Sequence, residues 1–319
     1  MKIVILGAGA LGSVIGAHLV RAGEEVTFIA RGERAADLKK NGIRVTGLAD
    51  FTVPVTVVTD PQEVKEADVL LVAVKTYDTE SALQNVQHLA LGGALSIQNG
   101  VLKDEQLARV FGEEKTLGAA TMIGGEVLPD GSVRFTLNGK IVVGELAGGT
   151  SARAQTLAAT LARAGFQAED SPQIRSAEWS KYVWWSGFMV VAVLTRMETY
   201  KYSKDPDGAL VTAKVIREVG QIPAKLGIPL EEQWLLPVKT LCSEPLADAV
   251  NRIRQFGIGL ETRAPNAKPS TLMDLQMGRR LEVEETLGDA VRKGAELGIP
   301  LPTVDTCYRL IAAINRYLR

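Results

Sequence analysis

Apolar positions along this chain follow two different periods. In the first half, short continuous apolar runs of strand length alternate with stretches in which apolar residues recur every three or four positions; in the second half only the helical period persists. KIVIL (2–6), EEVTFIA (24–30), ADVLLVAVKTYD (67–78) and GALSIQNGV (93–101) read as strands, the first and third as continuous buried runs, with a helical pattern after the first, and IRVTGLADFTVPVTVV (43–58) reads as shorter extended strands. Residues 115–146 change to strict alternation, punctuated by Pro129-Asp130-Gly131 and Asn138-Gly139, which predicts an antiparallel meander extending the sheet. A helix over 151–164 and the short strand FQAED complete a first domain, 1–170. From Ser171-Pro172 onward helices are expected near 172–195, 206–226, 231–243, 245–257, 270–276, 281–297 and 303–318, separated by GIPL, RAPNAKPS and GIPLP. They form a second domain, 171–319. The fold class is therefore an α/β Rossmann-type domain followed by an all-α domain.

The first strand ends in Gly7-Ala8-Gly9-Ala10-Leu11-Gly12, and a helical pattern through Val14, Ile15, Leu19 and Val20 follows. Gly7 permits a tight turn, Gly9 lets a pyrophosphate approach the backbone, and Gly12 lets the helix pack on the strand with its N-terminal amides toward the phosphates. A GxGxxG pattern alone is weak; between a buried strand and a helix, with a second strand after it, it marks a dinucleotide site. An NAD site places Asp or Glu at the end of that second strand, whereas this chain has Arg31-Gly32 with Arg34 close behind. A guanidinium there is either solvated or binds a 2′-phosphate through a charge-assisted fork, and the second reading favours NADPH. Lys75 and Asn99 close the next two strands, at the edge where open parallel sheets bind ligands. Asn99 before Gly100 is equally a plain turn former. Gly124-Gly125 could pass near a nicotinamide, although a bulge or turn is the simpler account.

Composition narrows the partners. Lys and Arg number 36 against 37 Asp and Glu, a net charge of -1 with no polybasic footprint, so neither nucleic acid nor an anionic membrane is implied and a small molecule is the expected partner. No run of about 20 uninterrupted apolar residues predicts a membrane span. Cys242, Cys307, His18 and His88 have no ligand-like spacing, so no metal site is expected, and so few cysteines suit a reducing cytoplasm. The anomaly is Lys181, a charge inside SAEWSKYVWWSGFMVVAV (176–193). On a helix it shares its face with Ala177, Glu178, Trp184, Trp185 and Phe188. Either it forms an i,i+3 ion pair with Glu178 on a partly solvated face, or it polarises a substrate carbonyl and delivers a proton.

GAGALG, VAVK ending at Lys75, QNG around Asn99, EWSK ending at Lys181, and PSTLMDLQMGRRLEVE with Ser270 and Glu282 together resemble the ketopantoate reductase family over nearly the whole chain. The resemblance implies NADPH-dependent reduction of 2-dehydropantoate to (R)-pantoate in pantothenate biosynthesis. It also implies a Rossmann domain followed by a helical domain like that of 6-phosphogluconate dehydrogenase, with the active site in the cleft between them. By position, Lys181 is similar to the family's general acid, Asn99 to a nicotinamide and substrate contact, Ser270 to a carboxylate anchor, and Glu282 to a ligand near the nicotinamide ribose or substrate. Arg31 and Lys75 resemble its phosphate-side contacts.

One departure stands out. The family's lysine is followed, four and eight residues on, by asparagines that hold substrate; here these positions are Trp185 and Met189. A buried ligand hydroxyl without a partner costs about 1–3 kcal/mol, so an apolar acyl tail gains over ketopantoate, and a 2-hydroxyacid dehydrogenase acting on a branched or aromatic 2-oxo acid is the alternative. A non-catalytic dinucleotide sensor is the remote one, disfavoured because it would need none of Lys181, Ser270 and Glu282. The long apolar C-terminal helices admit a homodimer.

Overall fold

The computed structural model describes residues 1–232 and 234–318, and its chain falls into two units: 1–99 with 103–175, and 100–102 with 176–319. The division lies between Arg175 and Ser176, inside the first turn of a helix, rather than at 170/171.

The first unit begins with β1 (Lys2–Leu6), α1 (Ala10–Arg21), β2 (Glu25–Ile29) and α2 (Gly32–Asn41). After β3 (Ile43–Gly47) and β4 (Phe51–Val53) come β5 (Thr56–Val58), β6 (Glu66–Val72), α3 (Thr79–Gln84) and β7 (Ala90–Ser96). α4 (Leu102–Phe111), β8 (Leu117–Val127), β9 (Val133–Glu145), α5 (Ala152–Arg163) and β10 (Gln167–Asp170) follow. Strands β5-β2-β1-β6-β7 form one sheet in that order, with every pair parallel. β1 shows why its sequence is apolar at every position after Lys2: Ile3 and Ile5 enter one core with Val14, Ile15 and Phe28, while Val4 and Leu6 enter another with Leu70, Val72 and Leu83. The chain winds outward from β1 through β2 to β5 and then returns to β6 on β1's other side. The carboxyl ends of β1 and β6 therefore flank the topological switch point, where open sheets form their ligand crevice.

The meander does not extend this sheet. β8 and β9 pair in a second sheet, β10-β9-β3-β4 with β8 on β9, and among the described residues the ladders touch only at an isolated bridge between Ala94 and Thr116. The reason is the length of β9. One edge is occupied by β8, and the other is shared by β3 at Val133–Phe135 and β10 at Lys140–Val143, so strands from both ends of the domain close on it.

The second unit is built from α6 (Ile174–Thr195), α7 (Thr199–Lys204), α8 (Pro206–Lys225), α9 (Val238–Ser243), α10 (Leu246–Arg263), α11 (Ser270–Gln276), α12 (Asp289–Leu297) and α13 (Pro302–Arg316). Three departures from the periodicity have local causes. Of the helix expected over 231–243, only Val238–Ser243 forms among the described residues, because Pro237 biases its predecessor away from helix; Gln233 lies outside them. α10 runs past 257 to Arg263, since nothing breaks it before Ala264-Pro265. The single helix expected over 281–297 is instead a π-helical turn, Glu284–Gly288, leading into α12. The short α7 was not among the expected helices.

Candidate active site

The phosphate loop is built from three glycines with three different reasons to be glycine. Gly7 has φ of 108°, and a Cβ there would stand 2.8 Å from the Val74 nitrogen, so both conformation and space exclude a side chain. A Cβ on Gly12 would lie 2.3 Å from the Gly7 carbonyl oxygen, so close helix-to-strand packing excludes it. Gly9 is extended, with φ of -71° and ψ of -166°, and its Cβ would meet only the Ala73 oxygen at 4.0 Å. Neither conformation nor the protein's own atoms require glycine at position 9. The space left there, in front of the orphan N–H groups of α1's first turn, suits an anionic group brought against the backbone. The residues present therefore fit a dinucleotide pyrophosphate.

Arg31 is the N-cap residue of α2 and is exposed; among the described residues its guanidinium has no hydrogen-bond or ion-pair partner. Arg34, one helical turn on, is turned inward. Its Nε donates to the Ala8 carbonyl (3.1 Å), Nη2 to Ser13 Oγ (3.0 Å), and Nη1 to Gly131 O (2.7 Å) and Asp37 Oδ2 (3.1 Å). Burial pulls its pKa down and Asp37 opposes that shift. The pair thus separates into one guanidinium committed to the protein and one open at the end of β2.

Lys75 follows β6 and heads the 3-10 turn Thr76–Asp78, and Asn99 follows β7, so both lie on the sheet edge that carries the phosphate loop. Between them the sequence reading missed Gln98. This buried amide accepts from Ser96 Oγ (2.8 Å) and donates to Val74 O (2.7 Å) and Thr79 Oγ1 (2.8 Å), which fixes the loop carrying Lys75 against the strand carrying Asn99. Its only signal in the sequence is its place beside Asn99. Gly124 sits at a register shift in β8, where a Cβ would meet Thr136 Oγ1 at 2.7 Å, so the bulge accounts for the glycine. Neighbouring Gly125 packs on α1, its Cβ position 3.2 Å from Val14 Cγ2.

In the second unit α6 is buried at every position from 176 to 193. A helix buried all round must satisfy its polar groups internally. Ser180 and Ser186 donate to the Ser176 and Val183 carbonyls, Tyr202 donates to Phe188 O (3.1 Å), and Trp234 Nε1 to Ala177 O (3.1 Å). Lys181, 7% exposed, and Glu178, 4% exposed, both lie in this environment, so a partly solvated face is not available to either. Tyr182, next to Lys181, stacks on Trp185 and donates its hydroxyl to Thr286 O at 3.0 Å. Burial drives its pKa far up, which keeps it a donor. That bond ties the lysine helix to the π turn, and Thr286 Oγ1 in turn donates to the carbonyl of buried Glu282. Lys181 and Glu282 are therefore carried by segments that are bonded together. Ser270 is exposed and opens α11. Trp185 and Met189 are both buried.

Residues 3–148 match the family "Ketopantoate reductase PanE/ApbA", and residues 173–315 match "Ketopantoate reductase PanE/ApbA C terminal". The chain belongs to the ketopantoate reductase family. A 2-dehydropantoate 2-reductase of Archaeoglobus fulgidus is 32% identical over 314 residues, 98% of each chain. The crystal structure of a PanE/ApbA family ketopantoate reductase from Ralstonia eutropha JMP134 is similar with a TM-score of 0.82 and 28% identity, covering 99% of each chain. A D-mandelate dehydrogenase solved with NADH and anilino(oxo)acetate shares the fold, with a TM-score of 0.86 at 21% identity over 100% of this chain and 99% of that one. Membership makes this protein an oxidoreductase. Among its described residues no helix is long and apolar enough to cross a membrane.

Proposed function

We propose that this ketopantoate reductase family member reduces a 2-oxo acid with NADPH, with 2-dehydropantoate the leading substrate, (R)-pantoate its product and pantothenate biosynthesis its setting. The observation that carries the reading is Lys181, an ammonium retained in a helix that is buried throughout 176–193. Taking such a charge out of water costs several kcal/mol, so an ammonium kept among buried tryptophans marks a functional-site candidate. When bound, the dihydronicotinamide supplies the hydride. Lys181 holds a proton at the substrate's keto oxygen and gives it up as negative charge develops there. Asn99 orients the carbonyl, Ser270 holds the carboxylate, and Glu282 binds beside the nicotinamide ribose or the substrate. Gly7 to Gly12 seat the pyrophosphate, Lys75 contacts the phosphate side, and Arg31 forks onto the 2′-phosphate.

A second reading has its own observation. Trp185 and Met189 are buried where substrate-holding amides would be expected, and the D-mandelate dehydrogenase of like fold acts, by its name, on an aromatic acid. The alternative substrate is a branched or aromatic 2-oxo acid. NADPH oxidation against 2-dehydropantoate, branched 2-oxo acids and phenylglyoxylate decides between them. A high kcat/KM for 2-dehydropantoate with poor turnover of the others supports the first reading, and the reverse ranking replaces it with the second. A homodimer formed through the helical unit belongs to the reading, supported by exposed Ile258 and Leu310, and light scattering tests it. A cytoplasmic location suits two cysteines that are both free thiols.

A further inference from the structure

The arginine pair at the end of β2 invites the view that both guanidiniums serve the cofactor's 2′-phosphate. The hydrogen bonds assign them different work. The carbonyl of Ala8, in the middle of the phosphate loop, accepts from Arg34 Nε at 3.1 Å and from Ser13 Oγ at 3.0 Å. Ser13 Oγ in turn accepts from Arg34 Nη2 at 3.0 Å, which closes a ring of three groups around one carbonyl. A trans peptide sets its N–H opposite its C=O, so pinning the Ala8 oxygen inward fixes the Gly9 N–H in the opposite direction. Among the described residues that N–H donates to nothing. The same restraint keeps a carbonyl lone pair from turning toward incoming phosphates, where it would repel them.

The other end of the guanidinium anchors the arrangement. Nη1 donates to Gly131 O (2.7 Å), in the turn between β8 and β9, and to Asp37 Oδ2 (3.1 Å) on α2. That turn is closed by its own bonds, Gly131 N to Leu128 O and Leu128 N to Ser132 O. Arg34 thus links the phosphate loop, α2 and the second sheet.

Resting on the reading that this loop binds NADPH, we propose that Arg34 is a positioning residue: it presets the Ala8–Gly9 peptide for the pyrophosphate, which NADPH and NADH share, and leaves selection of the 2′-phosphate to Arg31. The two roles separate in a measurement of Kd for both cofactors by calorimetry. Arg34→Ala should raise Kd for NADPH and for NADH by the same factor, about tenfold, with kcat at saturating cofactor little changed. Arg34→Lys should not restore affinity, since an ammonium cannot span the Ala8 carbonyl, Ser13 and Gly131 together. Should Arg34→Ala fail to fold, Ser13→Ala keeps the charge and removes one of the two donors to Ala8; it should weaken both cofactors equally and by less.

A loss confined to NADPH would make Arg34 a direct 2′-phosphate ligand and overturn the proposal. Unchanged affinity for both cofactors with a lowered Tm would also overturn it, leaving a purely structural residue. Wild-type protein that binds neither cofactor would instead defeat the NADPH reading itself, so the two failures are distinguishable.

Discussion

Under the proposed function, the phosphate loop of the first unit and the lysine helix of the second do comparable work with opposite materials. In the loop, backbone atoms face the ligand and the side chains have been removed to let it approach, so what matters is the absence of a Cβ at Gly9 and the direction of one peptide. On α6, the proposed functional group is the side chain of Lys181, on a helix that also buries Trp179, Trp184, Trp185, Phe188 and Met189. Loop chemistry is therefore tolerant of what the substrate is, because every dinucleotide has a pyrophosphate. Under the proposed function helix chemistry is not, because the side chains near the lysine would set which acyl tail is accepted.

The contrast is broken most severely by Lys181→Ala. Without the proton donor kcat should fall by about 10²-fold to 10⁴-fold while Kd for NADPH stays near the wild-type value, as stopped-flow turnover and calorimetry would show. An unimpaired variant would take the lysine out of the mechanism. Gly9→Val comes next: Kd for both cofactors should rise by about 10-fold or more with little change in Tm, because the added atoms enter space that only the ligand uses. Gly12→Val is its control, and should lower Tm strongly, since its Cβ alone collides with the Gly7 carbonyl.

Arg31→Ala should weaken NADPH by about tenfold and leave NADH nearly untouched; equal losses would deny it the 2′-phosphate. Trp185→Asn sharpens the substrate side, shifting the kcat/KM ratio toward 2-dehydropantoate over phenylglyoxylate by about tenfold, roughly one buried hydrogen bond. The smallest effect lies away from both sites. Glu145 receives a bidentate fork from Arg153, through Nε at 2.7 Å and Nη2 at 2.6 Å, and this fork holds its carboxyl below the usual glutamate range. A depressed folded pKa means the pair stabilises the fold at neutral pH, and that contribution is lost as pH falls through the depressed value. Glu145→Gln should cost about 1 kcal/mol at pH near 7 in urea titrations, and the difference from wild type should vanish in acid.

The first sheet was readable because strands buried on both faces print continuous runs, as β1 after Lys2 and the last four residues of β6 and β7 do. β8 and β9 were recognisable as an alternating pair, yet alternation names neighbours within a hairpin and says nothing about which sheet receives it. The partners of β9 at its two ends, β3 and β10, are remote in sequence. Helix positions held where apolar spacing was regular, as in α6 and α8, and failed where a proline or a π turn intervened, as at Pro237 and Glu284–Gly288. At the candidate site the chain displayed residues whose types were unusual for their surroundings, such as Arg31 after a strand and Lys181 among tryptophans. Gln98 and Ser13 were silent, because an amide or a hydroxyl gains its meaning from what it bonds.

By itself the amino-acid order determined the alternation of strands and helices, the glycine loop after β1 and the lysine in an apolar helix, since each rests on local sterics and on the matching of period to burial. The fold decided which of two nearby arginines faces the protein and which is left open, and that Lys181 and Glu178 have no solvated face to share. It also joined the lysine helix to the turn that follows Glu282 through a single tyrosine hydroxyl. Those outcomes depend on groups far apart in the chain meeting within hydrogen-bond distance, and no local pattern encodes such a meeting.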